Sequence, residues 1–150
     1  MPALRPTTRA GKAIDGTDAV ELSAGEVAGR RQALAFFDFL KREARADLES
    51  VSSRYAAKLG IPIKRVSIRD QSSRWGSCST TGLLSFSWRL ILAPSHVLEY
   101  LAAHEVAHLV EMNHSPRFWR VVGRICDHVE RAKRWLDTYG NDLHRYGIED

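Results

Sequence analysis

The apolar positions of this chain fall into four periodic blocks separated by turn chemistry. From about Val27 to Leu59 the pattern is helical, with Leu40, Ala44, Leu48, Val51, Tyr55 and Leu59 recurring at steps of four and three. Gly60 supplies a stop and Pro62 prevents continuation; one long helix and two shorter ones fit equally well. Val66 and Ile68 then alternate with Arg65, Ser67 and Arg69, and Leu84, Phe86 and Trp88 alternate with Ser85, Ser87 and Arg89. Both stretches read as half-buried strands. Between them, Ser72 to Gly82 ends in turn residues and can pair back on Leu83–Trp88 as a hairpin, so a small antiparallel sheet is expected. Pro94 opens a helix expected to reach about Met112. Val97, Leu98, Leu101, Val106, Leu109 and Val110 make it apolar on most sides, the mark of a buried helix. A last helix is expected from Pro116 to about Leu136, with Phe118, Val122, Ile125, Val129, Ala132 and Leu136 as its inner stripe. Residues 1–25 carry few large apolar side chains and no sustained period, and read as a mobile or disordered tail. The elements imply an α+β class, with one folded domain over residues 26–150.

Composition narrows this picture only a little. At 150 residues the chain suffices for one domain with a real core. No apolar run approaches the ~20 residues of a membrane span, and the N-terminus lacks a secretory apolar stretch. Cys78 and Cys126 are too few for a disulfide framework, so a reducing, cytoplasmic setting is expected; Cys126 fits a small buried hydrophobe. The net charge of +4 is carried by scattered Lys and Arg, consistent with a solvated basic surface and admitting weak nucleic-acid association.

The buried helix carries the chemistry. His104-Glu105-Val106-Ala107-His108 is an HExxH run. Residues four apart share one helix face, so His104 and His108 can grip one metal ion. Glu105 lies beside the open position, where a carboxylate can take a proton from water. Two imidazoles leave a catalytic zinc one protein ligand short. His114 is the candidate third, but a continuous helix would carry it roughly 9 Å along and about 120° round from His108. The helix must therefore end first. Asn113 tolerates the left-handed conformation that closes helices, and Ser115-Pro116 reads as the cap and first residue of a new one. The spacing points to a hydrolase with one Zn2+. A structural zinc is the alternative, though such sites usually close with four side chains and favour Cys. Three imidazoles also admit other transition metals.

Four motifs together carry a family resemblance: Arg74-Trp75-Gly76-Ser77-Cys78, Trp88-Arg89-Leu90, His104-Glu105-Val106-Ala107-His108, and Met112-Asn113-His114-Ser115-Pro116-Arg117-Phe118-Trp119. Over about Leu34 to Leu136 the chain resembles the YgjP-like metallopeptidases, a group similar to SprT and Spartan proteins and to the minimal gluzincins. The resemblance implies a small zincin with the metal on His104, His108 and His114, Glu105 as base, and a peptide or protein substrate. Many relatives carry a β-rich segment before the first long helix. Here a short polar tail stands in its place, so part of the usual cleft is expected to be missing. The ligand spacing also equals that of the metzincins. Glu111 stands where their Gly would be, however, and no Met follows to form their Met-turn.

Further roles rest on residue type. Arg74, His128 and Tyr139 can each donate to an oxyanion; Arg74 gains from leading its motif, which can equally brace the hairpin. Glu111 can orient a ligand His, and Asn113 can serve the backbone turn. Trp75, Trp88 and Trp119 are expected in the core, and His96 and His144 at the surface. A sheet edge beside the metal, on the Leu83–Trp88 or the Cys78 side, can take an extended peptide as an added strand. Two rival functions remain: a zinc amidohydrolase acting on a small non-protein substrate, and a zinc-stabilised module binding nucleic acid or protein.

Overall fold

The computed structural model describes residues 22–70 and 74–144. In order, they form helix α1 (Ala24–Leu59), strands β1 (Arg65–Arg69), β2 (Gly76–Cys78) and β3 (Leu83–Ser87), a 3₁₀ turn (Trp88–Leu92), and helices α2 (Ser95–Ala107), α3 (Pro116–Ile125) and α4 (Val129–His144). The α+β class is as expected. The described residues divide into two units, one ending at Phe37 and the other beginning at Asp38. The tail expected over residues 1–25 lies, as far as residue 21, outside the described residues. No helix among the described residues is long and apolar enough to cross a membrane.

In the first unit, α1 opens on a reciprocal cap. Ser23 Oγ accepts from the Glu26 N–H at 3.1 Å, and Glu26 Oε1 accepts from the Ser23 N–H at 2.8 Å. In the second unit, α1 buries Ala44, Leu48, Val51 and Tyr55 of the expected stripe together with Ala56, while Leu40 and Leu59 are half-buried. It ends where Gly60 turns left-handed at φ 70, with the Ile61 N–H reaching the Ala56 carbonyl at 3.1 Å.

The sheet has the order β1-β3-β2. The expected antiparallel hairpin is β2 on β3, with Cys78 opposite Leu84 and Gly76 opposite Phe86. The other pair corrects the expectation: β1 runs parallel to β3, with Val66 opposite Leu84 and Ile68 opposite Phe86, so the sheet is mixed. Burial explains the order. Leu84 and Phe86 are fully buried, so β3 takes the centre. The shorter β2 takes an edge, two strand spacings (~9.5 Å) from β1. The crossing is anchored at both ends. Asp70 Oδ1 accepts from Trp88 Nε1 at 3.2 Å and pairs with Arg89 Nη1 at 2.7 Å, while the Trp75 carbonyl accepts from the Ser87 N–H at 2.9 Å. Trp88 thus belongs to the 3₁₀ turn, not to the strand.

Two helices differ from their expected extents. Helix α2 stops at Ala107 and not near Met112, because its last carbonyls close into i→i+3 turns. The expected final helix is two, α3 and α4. The chain becomes extended at Cys126 (φ −133, ψ 128), inside Cys126-Asp127-His128-Val129, four consecutive weak helix formers. Cys126 is buried, as expected of a small hydrophobe.

Arg89 is wholly buried and Asp70 about one-third exposed, so removing the carboxylate takes a charged partner away from a buried cation. Asp70→Ala is expected to destabilise the fold by roughly 2–3 kcal/mol, read as a lower urea midpoint with an unchanged m-value.

Candidate metal centre

Helix α2 is packed on nearly all sides, with Val97, Leu98, Leu101, Ala102, Ala103, Val106 and Ala107 buried. His104, Glu105 and His108 occupy its last turns. The helix then tightens: the N–H groups of His108, Leu109 and Val110 bond to the carbonyls of Glu105, Val106 and Ala107 at 3.2, 2.9 and 3.0 Å. Helix α3 restarts the chain with Ser115 as cap, its Oγ accepting from the Phe118 N–H at 3.4 Å, and with Pro116 in its first turn. His114 lies in the joint between the two helices, as the spacing requires.

That joint folds His114 back. Its Nε2 lies 3.0 Å from His108 Nε2 and 3.3 Å from His104 Nε2. One ligand atom from each ring falls within 4.8 Å of the others. Bonds of ~2.0–2.1 Å in tetrahedral geometry would set nitrogen pairs about 3.3 Å apart, so the donor set fits one small cation. Protonation is disfavoured at the two helix imidazoles. His104 is pushed down to about 4 by burial first, then by the like charges of His108, His114 and Lys133. His108 is pushed down chiefly by burial. Neutral rings are what a metal needs. His108 Nδ1 faces the Glu111 carbonyl at 3.1 Å; as the donor there, it leaves its Nε2 lone pair free.

Helix α3 supplies an aromatic floor. The buried Phe118 ring stacks on His108 with centroids 4.5 Å apart and meets His104 and His114 at 5.0 and 4.9 Å. The half-buried Trp119 ring lies 5.8 Å from His104 and 6.0 Å from His114. Trp119 is therefore part of the site's wall, whereas Trp88 is core as expected.

Glu105 is almost fully buried, and burial pushes its carboxyl up to about 7, opposed by the positive charge of Arg74. The wall around it is β2 with its lead-in. A Cβ on Gly76 would come within 3.2 Å of Glu105 Cγ and 3.1 Å of the Ser85 carbonyl oxygen. The Cys78 thiol is pushed up to about 11, by burial first and then by the Glu105 charge. Arg74, Gly76 and Cys78 alternate, so one face of the segment addresses Glu105.

The remaining candidates separate. Arg74 is exposed and acts on Glu105. Glu111 meets His108 through its backbone, while its carboxylate lies 3.4 Å from Arg117 Nε. Asn113 is exposed in the bend before His114. His128 lies against Glu99, at 2.8 Å, and against His96; Tyr139 is exposed beside Trp135, and neither makes ring contact with the triad. His96 is half-buried, not a free surface residue. The sequence reading missed Gly76 as the backing of Glu105. It also missed Lys133 of α4, whose Nζ lies 3.9 Å from the Trp119 ring centroid. Neither has a local spacing that would have revealed it.

Residues 4–139 match the family pattern described as YgjP-like, metallopeptidase domain. Among solved structures, the chain is similar to the metallopeptidase zymogen of Pyrococcus abyssi, abylysin. The two are 26% identical, with a TM-score of 0.55, covering 67% of this chain and 99% of that one. No curated protein matches.

The buried carboxyl makes a testable difference in metal-free protein. Its raised folded value means that its contribution to stability is fully present below pH 4.5 and lost as pH rises through about 7. Glu105→Gln removes that loss, and the histidine contributions are common to both proteins. The variant's advantage in unfolding free energy is expected to grow from near zero at pH 4.5 to on the order of 2 kcal/mol at pH 8.

Proposed function

Because this chain belongs to the YgjP-like metallopeptidase family, and so is a metal-dependent hydrolase, we propose that it is a zinc peptidase whose catalytic domain spans residues 26–150. In this reading His104, His108 and His114 hold a single zinc ion, and Glu105 is the general base. The observation that carries it is the meeting of three Nε2 atoms one residue away from a buried carboxylate.

Bound zinc supplies Lewis acidity, which polarises a carbonyl and makes water a stronger acid. Glu105 does the proton work. Its buried carboxylate is more basic than a solvated one, so it accepts a proton as water attacks the peptide carbonyl and passes it to the departing amine. Arg74 favours the ionised form of Glu105 and is the side chain we assign to the developing oxyanion. Glu111, through its carbonyl, holds the His108 ring, and Asn113 serves the bend that delivers His114.

The substrate is an extended peptide. Strand β3 is paired on both sides and offers no edge, whereas β2 is an edge strand beside Glu105. A peptide adding to β2 gains affinity from backbone pairing, so its sequence preference is expected to be loose.

Two experiments test the assignment. Glu105→Gln is expected to lower turnover of an unstructured protein about 10²–10⁴-fold while keeping its zinc by elemental analysis, whereas His114→Ala is expected to lose zinc and turnover together. Undiminished turnover in the Gln variant removes Glu105 as base. Gly76→Ala crowds an unyielding backbone oxygen and the Glu105 side chain. It is expected to cut kcat roughly 10–100-fold with zinc content unchanged.

A further inference from the structure

The lysine beside Trp119 points to how the substrate is chosen. Its ammonium lies 3.9 Å from the Trp119 ring centroid, and that ring stands 5.8 Å from His104 and 6.0 Å from His114. An aromatic face attracts and orients a cation through its quadrupole but does not neutralise it. Among the described residues the ion pairs are Arg89–Asp70, Arg117–Glu111 and His128–Glu99; Lys133 is in none of them. The half-buried lysine is thus held on the aromatic wall of the site, with no carboxylate partner among the described residues and its N–H donors left for an incoming group.

We propose that Lys133, held by Trp119, is a specificity residue that binds a substrate carboxylate next to the scissile bond. The carboxylate comes either from an acidic side chain or from a free C-terminus. The inference rests on the peptidase reading but extends it, because backbone addition at β2 alone would be indifferent to charge. Lysine and not the metal supplies the discrimination: a charge-assisted hydrogen bond to a fixed ammonium favours a carboxylate over the isosteric amide.

The test uses the zinc-loaded full chain in a Glu105→Gln background, so that binding is read without turnover. Fluorescence anisotropy compares peptides matched except for Glu against Gln near the centre, each with a free or an amidated C-terminus. The Lys133-intact protein is expected to prefer the carboxylate about fivefold to tenfold. Lys133→Met should erase the preference, and Lys133→Arg should restore most of it, which a purely packing role for the side chain would not do. Preference that follows the side chain identifies an acidic residue; preference lost on amidation identifies the C-terminus. A carboxylate preference, at the side chain or at the C-terminus, that persists unchanged in Lys133→Met, or no preference at either position in the Lys133-intact protein, overturns the proposal. Charge-selective binding by a protein that, with Glu105 present, cleaves none of these peptides would instead sink the peptidase reading and leave the carboxylate site standing.

Discussion

Everything at the candidate metal centre depends on where α2 stops. A helix that ran on past His108 would leave the third imidazole a turn and a half away, pointing elsewhere. The chain closes at Ala107, draws its last N–H groups into shorter turns, and uses the Glu111 backbone twice over. Its N–H donates to the Ala107 carbonyl at the helix end, and its carbonyl holds His108 Nδ1. The geometry that ends the helix is therefore the geometry that aims a ligand. Burial then sets the chemistry: the same packing that surrounds α2 keeps His104 and His108 neutral and Glu105 basic.

The sheet serves this helix at one remove. Asp70, Arg89 and Trp88 tie the end of β1 to the turn after β3, and β2 comes to lie at the edge nearest Glu105. Gly76 is small where the sheet comes closest to the carboxylate, and Cys78 continues that wall. A side chain that looks purely structural, the fully buried Arg89, thus bears on the position of Glu105 through the strand it helps to place.

Legibility followed the range of the interactions. His104, His108 and His114 could be read because helical spacing and a capping pair are local facts, and Gly60 announced the end of α1 for the same reason. The parallel pairing of β1 with β3 could not be read. Alternation marks a strand's faces but says nothing about which neighbour it takes. The α3–α4 break lacks Gly or Pro, so only weak propensities at Cys126 to Val129 announced it. His128 and Tyr139 were named by chemical type alone, and type says nothing of surroundings: His128 lies against Glu99 and Tyr139 against Trp135. Gly76 and Lys133 meet the site from elements distant in sequence, where no spacing rule reaches.

All three imidazoles come from one stretch of chain, His104 to His114, with its own cap at Ser115. Gathering them closes a loop of only about ten residues, a small entropic demand met on a timescale of ~10–100 ns. The strand pairing asks for a longer closure, since β1 meets β3 across eighteen residues, Arg65 against Leu83. The three rings are thus gathered by local chain, while the wall behind Glu105 is assembled from more distant parts.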